Sequence, residues 1–343
     1  MGRGQADSPS EQDDVARRTA FRSWAGRVGL SLLYSREASI VIAGIVLIIY
    51  FQSTAPAFLS AGNIANLAEY AATTAIIAAG EVMVLISGEV DLSVGQVYAL
   101  SPFVMYYAHR AGTPFVPAIV LGLVPAAIIG LINGLVTVVL EIPSFITTLG
   151  TLFLINGLTL TISGGFPVAP KADPIVTNVF GGNAIAQILW AVGVAFFFQF
   201  VLVKTRWGLH TIATGGNLIG AAEVGIKIGR IKIGNFIICS ALGGLAGVLD
   251  AFRIGSIDPL AGGTEIMFMA IASSVIGGTL LTGGSGTIIG AFFGAAVLGI
   301  LKDGFTLSGV SAYAFDMILG GAILVTMLIN VRLSRLRAAG GGR

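Results

Sequence analysis

The sequence predicts an all-α polytopic membrane protein with about ten transmembrane helices, some broken or re-entrant, and both termini cytoplasmic. Three observations carry this expectation. Of 343 residues, 55% are hydrophobic and 10% charged, against about a quarter charged in soluble domains. The apolar residues collect in runs of about 16 to 25, the length that crosses a ~30 Å hydrocarbon layer as a helix, and they lack the alternation of a barrel strand. With the amino terminus inside, fifteen of the nineteen Lys and Arg also fall inside, as the positive-inside bias requires.

Residues 1–37 form the first segment. They contain six Arg and no apolar core of signal-peptide length beside a cleavage pattern, so the segment is expected to be retained in the cytoplasm. Phe21, Trp24, Ala25, Val28 and Leu32 lie on one helical stripe with Arg22 and Arg27 off it, which suits a helix in the membrane interface; a disordered tail is the alternative. Spans follow at 38–53, 64–87, 94–109, 115–140, 144–163, 184–203, 233–251, 264–281, 285–303 and 313–331, making 38–331 the transmembrane domain and 332–343 a cytoplasmic tail. Arg110, Lys171, Arg253 and Lys302 are left outside or near the outer face. Most connections are short. The outer stretch 164–183 is rich in Pro and Gly and reads as an irregular cap. The inner stretch 204–232 carries GGNLIGAAEVGIKIGR between basic flanks, a helix-compatible segment whose small residues suit close approach of another surface. Ala222 and Gly225, three apart, would share one helical face there.

Glycines cluster within spans, at 243–247, 276–278, 283–286 and 290–299, marking close helix packing or helix breaks. SGEVDLSVG and IGGTLLTGGSG form a weak internal echo, each ending one span and starting the next.

The chemistry present excludes several classes. Cys239 is the single cysteine, so one chain builds neither a disulfide nor a thiolate metal site, and it reads as a small core residue. His109 and His210 have no ligand spacing around them. A net charge of +2 gives no case for nucleic acid. Residues 220–227, GAAEVGIK, miss the P-loop because Ile226 separates Gly225 from Lys227, and no GxSxG elbow occurs. Glu69, Glu81, Glu89, Asp91, Asp250 and Asp316 lie in or beside spans, where a carboxylate is costly. Each is hydrogen-bonded at a helix end, faces a small aqueous space, or is used for ion coupling.

Five strings, GEVDLSVG (88–95), IPSFITTLGT (142–151), RWGLHTIATGGNLIGAAEVGI (206–226), AIASSVIGGTLLTGGSGTIIGA (270–291) and KDGFTLSGVSAY (302–313), resemble the membrane permeases of ribose-, xylose- and arabinose-type ATP-driven importers. The resemblance runs from residue 38 to about 330. It implies a bacterial inner-membrane permease subunit, not itself an enzyme and without a cofactor of its own. Its partners would be a second permease copy, ATP-binding cassette subunits holding ATP and Mg, a periplasmic or lipoprotein sugar-binding protein and membrane lipid. By the same resemblance, 216–226 is a coupling helix with Gly216, Asn217, Ala221, Ala222 and Gly225 as its docking surface. Glu89, Asp91 and Ser93, with Gly277 and Gly278, belong to turns or the translocation path, Asp91 and Ser93 capping the following helix. Met267 and Met269 replace acidic residues common in relatives and are expected as outer-mouth contacts; Leu319 stands where Lys is frequent. The competing readings are an ion-coupled secondary transporter using Glu81 or Asp250 and a membrane enzyme holding a lipid phosphate. The choice of sugar is not written in this chain.

Overall fold

Residues 36–311 are described by the computed structural model, with scattered positions from 314 to 328. The interfacial stripe of residues 21–32, Asp316, Leu319 and the tail 332–343 lie outside the described residues, as does most of the last expected span.

The helices are α1 (Arg36–Thr54), α2 (Ala61–Ile86), α3 (Val94–Arg110), α4 (Phe115–Val139), α5 (Ser144–Ser163), α6 (Pro174–Val179), α7 (Ala184–Lys204), α8 (Arg206–Gly216), α9 (Leu218–Glu223), α10 (Ile228–Ile254), α11 (Gly263–Ile276) and α12 (Ile288–Leu307). Among the described residues no strand forms; Val168 and Ile257 make one isolated antiparallel bridge. Among the described residues six helices, α2, α4, α5, α7, α10 and α12, are long and apolar enough to cross a membrane.

The centre is α2. Every residue from Ala71 to Ile86 is buried, which the run AATTAIIAAG makes feasible, since small side chains let neighbouring backbones close in. A Cβ at Gly80 would stand 2.7 Å from the Cα of Cys239, so α2 and α10 touch almost backbone to backbone there. α10 packs on α4, α2 and α3, and α12 packs on α2, α11 and α1. The outer helices expose their apolar residues, for example Val120, Phe153, Phe196 and Phe200, as suits a hydrocarbon solvent.

The two long connections are more ordered than their composition suggests. Residues 164–183 contain α6, which opens with Asp173 at the N-cap position and Pro174 in its first turn, and join the 255–262 loop through the Val168–Ile257 bridge. Residues 204–232 hold α8, α9 and the first turn of α10. The span expected over 264–281 stops at Ile276, where Gly277 is the C-cap and Gly278 takes a φ of +90° that ends the helix.

Candidate functional site

Two regions at opposite ends of the bundle carry the polar chemistry. At the α8–α9 end three turns meet. The amide of Gly284 donates to the carbonyl of Ile86 at 2.8 Å, and a Cβ at Gly215 would lie 1.8 Å from that same oxygen. The ends of α2 and α8 and the α11–α12 turn are therefore stacked without room for a side chain. Gly283 also approaches Gly88, so the two echoing stretches of the sequence are neighbours in space.

Asp91 sits fully buried in the α2–α3 turn. Its Oδ1 accepts from the Ser93 amide (2.9 Å), the Ser93 hydroxyl (2.6 Å) and Asn133 Nδ2 (3.5 Å), and its Oδ2 accepts from the Ser240 hydroxyl (3.2 Å). Asn133 in turn donates to Ser93 Oγ (2.9 Å) and accepts from Thr151 (2.7 Å). Hydroxyls and amides from the α2–α3 turn, α4 and α10 thus satisfy the carboxyl group. The expected side-chain cap of α3 does not form: Asp91 accepts from the Ser93 amide and hydroxyl just ahead of the helix, and the Ser93 hydroxyl is turned back to that carboxyl group. Glu89 pairs with Lys232 Nζ at 2.5 Å, both side chains mostly buried. Glu81 is enclosed, with Cys239 Sγ 3.6 Å from its Oε1.

α8 is fastened by Trp207, whose Nε1 donates to Asn235 Oδ1. α9 begins with the Asn217 side chain accepting from Gly220 N at 2.9 Å. It ends in a Schellman motif: Gly225 N meets Ala222 O and Ile226 N meets Ala221 O, with Gly225 at φ +82°. Two corrections follow. Gly225 terminates the helix rather than sharing a face with Ala222, since the chain turns left-handed to satisfy the last carbonyls. Ala221 is buried against the bundle and presents nothing outward. Gly216, Asn217 and Ala222 are exposed, and the prominent apolar groups are ones the sequence reading passed over, Ile219 at 73% and Val224 at 77% exposure. Lys204, Arg206, Lys227 and Arg230 stand exposed around them.

At the α6 end the expected mouth residues are also corrected. Met267 and Met269 are buried among the neighbouring helices, Met269 beside Leu298 and Ala272, because their faces of α11 turn toward α2 and α12. Glu265 of the same helix is the group that projects, its carboxylate 2.5 Å from Lys302 Nζ. Lys302 also donates to the Tyr70 hydroxyl at 2.9 Å. Asp250 is held by Tyr98 and Arg253 and receives Thr73 Oγ1 at 3.4 Å; Arg253 also faces Glu69 at 3.8 Å. The ionisable residues in spans signalled this cluster, though nothing in the linear order pairs Tyr98 with Asp250. Gly277 meets the α12 backbone, where a Cβ would lie 2.4 Å from Ala291 N, so its role is close packing. No group of three His, Cys, Asp or Glu suited to a metal occurs among the described residues.

These features make a multi-pass membrane protein with ion pairs and hydrogen-bonded carboxyl groups between its helices and exposed apolar residues, Ile219 and Val224, at one basic end. A family described as "branched-chain amino acid transport system / permease component" matches residues 63–328, and the chain belongs to it. It is 36% identical over 315 residues to the xylose/arabinose import permease protein XylH of Sulfolobus acidocaldarius, covering 89% of this chain and 88% of that protein. It is 32% identical over 317 residues to the ribose import permease protein RbsC of Escherichia coli K12 (89% and 97%) and 31% identical over 310 residues to the D-allose transport system permease protein AlsC of the same organism (89% and 94%). No solved structure matches the chain.

Proposed function

We propose that this chain is the permease subunit of an ATP-driven importer that moves a sugar or sugar-like solute across the inner membrane by alternating access. The observation that carries the reading is the match along nearly the whole chain to import permeases named for xylose and arabinose, ribose and allose. The family's description names branched-chain amino acids, but these relatives are named for sugars. The chain works as a homodimer with ATP-binding cassette subunits, which hold ATP and Mg, and receives its solute from a periplasmic or lipoprotein binding protein. Both termini and residues 204–232 face the cytoplasm.

The α9 knob supports the coupling role. Ile219, Ala222 and Val224 offer an apolar contact to the ATPase, and the basic rim steers an acidic cleft toward it. A push on α9 passes through Trp207 to Asn235, and from Asn235 Nδ2 to the carbonyl of Met83 on α2 at 3.0 Å. It also passes through Gly215 to Ile86 and Gly284.

The test is uptake in proteoliposomes holding the chain, its cognate ATPase and its binding protein, with D-xylose, L-arabinose, D-ribose, D-allose and leucine as solutes. ATP-dependent accumulation of a sugar is expected. Uptake driven by a proton gradient without the ATPase would overturn the reading in favour of ion coupling.

A further inference from the structure

α3 and α11 are short, 17 and 14 residues, and their amino ends meet inside the bundle. A Cβ at Gly95 would fall 2.0 Å from the carbonyl oxygen of Gly263, and one at Gly262 would fall 2.5 Å from that of Gly95. From this junction the helices diverge. α3 follows the last half of α10, with Gly247 against Tyr98, while α11 runs back along α2 and α12, with Ser274 on the carbonyl of Ala78 and Gly277 on Ala291. No side chain caps either amino end. Half-helices that begin inside a bundle place uncapped N–H donors at membrane depth, a geometry that suits solute binding.

Beside this junction lies a cavity of about 160 Å³ whose wall includes Tyr70, Tyr98, Asp250, Arg253, Glu265 and Lys302. A second, of about 180 Å³, shares Tyr98 and Asp250 and extends toward Ile254 and Asp258. Tyr98 and Asp250 are walls of both, so the two lie side by side as a track between the loop after α10 and the junction, divided by the Tyr98–Asp250 pair. Its chemistry is specific in kind. Carboxylates accept, the guanidinium and ammonium donate, and two phenol rings offer faces to C–H groups, the set that a polyhydroxylated ring uses on its edges and its face. Two cations, Arg253 and Lys302, face three carboxylates, Glu69, Asp250 and Glu265, so an anionic solute is disfavoured. Ile266 is the only aliphatic side chain on the first cavity's wall, so that cavity gives a branched hydrocarbon side chain little to pack on, whereas Ile254 and Ile257 lie on the second.

We infer that this track is a solute subsite within the permease, taking a neutral monosaccharide, and that the chain itself therefore contributes to solute selection. The inference rests on the sugar-import reading above. Ile266→Cys places a thiol on the cavity wall, and Cys239, being buried, gives a silent background. The full chain in membrane vesicles, without binding protein or ATP, is treated with a small polar thiol reagent. A sugar that the complete importer carries should slow labelling about threefold at twice its dissociation constant, as simple occupancy dictates, whereas leucine should not. Adding Glu265→Gln, an exposed position whose loss leaves the core intact, should keep the labelling rate and weaken protection. Thr74→Cys, on the same wall, repeats the assay if the Ile266 variant fails to insert. Labelling indifferent to a sugar that the complete importer transports would overturn the subsite while leaving the function standing. Failure of the importer to move any sugar would overturn the function itself.

Discussion

Trp207 and Asn235 are joined by a 2.9 Å hydrogen bond from the indole Nε1 to Oδ1, and the same amide reaches Met83 O and Thr211 Oγ1. One buried amide therefore ties α8 to α10 and α2. Trp207→Phe keeps a ring in place but leaves Asn235 Oδ1 without its donor, a loss of about 1 to 3 kcal/mol. The expected outcome is a lower unfolding temperature in detergent and an ATPase that stays bound but loses its response to solute. Unchanged solute-stimulated hydrolysis would remove Trp207 from the coupling route.

Asp91 should act through folding. Asn keeps one acceptor for the Ser93 amide, and Ser240 can reverse its hydroxyl, so Asp91→Asn is expected to cost about 1 kcal/mol or less. Asp91→Leu takes the acceptor from the Ser93 amide and hydroxyl and from the Ser240 hydroxyl at once and should cost several times as much, roughly 3 kcal/mol or more. Thermal unfolding and membrane yield measure both. A Leu variant of normal stability that transports nothing would point to direct action on the solute.

The α9 knob gives a sharper test of partner docking. Ala222→Trp adds bulk at an exposed position, and Ile219→Asp removes an apolar contact without touching the bundle. Both should insert normally yet lose co-purification with the ATPase, an overpacking penalty of about 1 to 3 kcal/mol sufficing in the first case. Gly225→Trp is a poor probe, since its φ of +82° makes any side chain strain α9 itself. Wild-type association by both informative variants would free residues 216–226 from the coupling role.

Orientation is open to direct chemistry. Cysteine at Gly216 should resist an impermeant thiol reagent in intact cells, whereas cysteine at Ala172 should react, with wild-type Cys239 silent. Reaction at position 216 from outside would invert the topology.

Hydropathy located the elements because each apolar run between 38 and 303 holds a helix. Depth was not legible. Residues 94–109 look like a full span, but α3 starts beside Gly243 and Gly247 of α10, well inside the bundle, and composition does not record where a helix begins. Partners were not legible either, since Asp91 finds Asn133 and Ser240 from distant parts of the chain. The Met267 and Met269 assignment failed because a one-residue rotation of α11 exchanges mouth for core, and only the packing of α2 and α12 fixes that rotation. The end of α9 was legible in principle: a glycine just past a short helix is a stop signal before it is a docking surface.

The burial of α2 also dictates an order of assembly. Its Glu81, Thr73 and Asn235-bound Met83 find their partners on α10, which is synthesised more than a hundred residues later. Until then the helix carries a carboxyl group that lipid tolerates only at a cost of about 2.5 to 3.5 kcal/mol. The nascent chain must therefore hold α2 at the insertion machinery or against provisional neighbours until α10 emerges, and ribosome-bound chains cut short before residue 228 should leave it accessible to extraction.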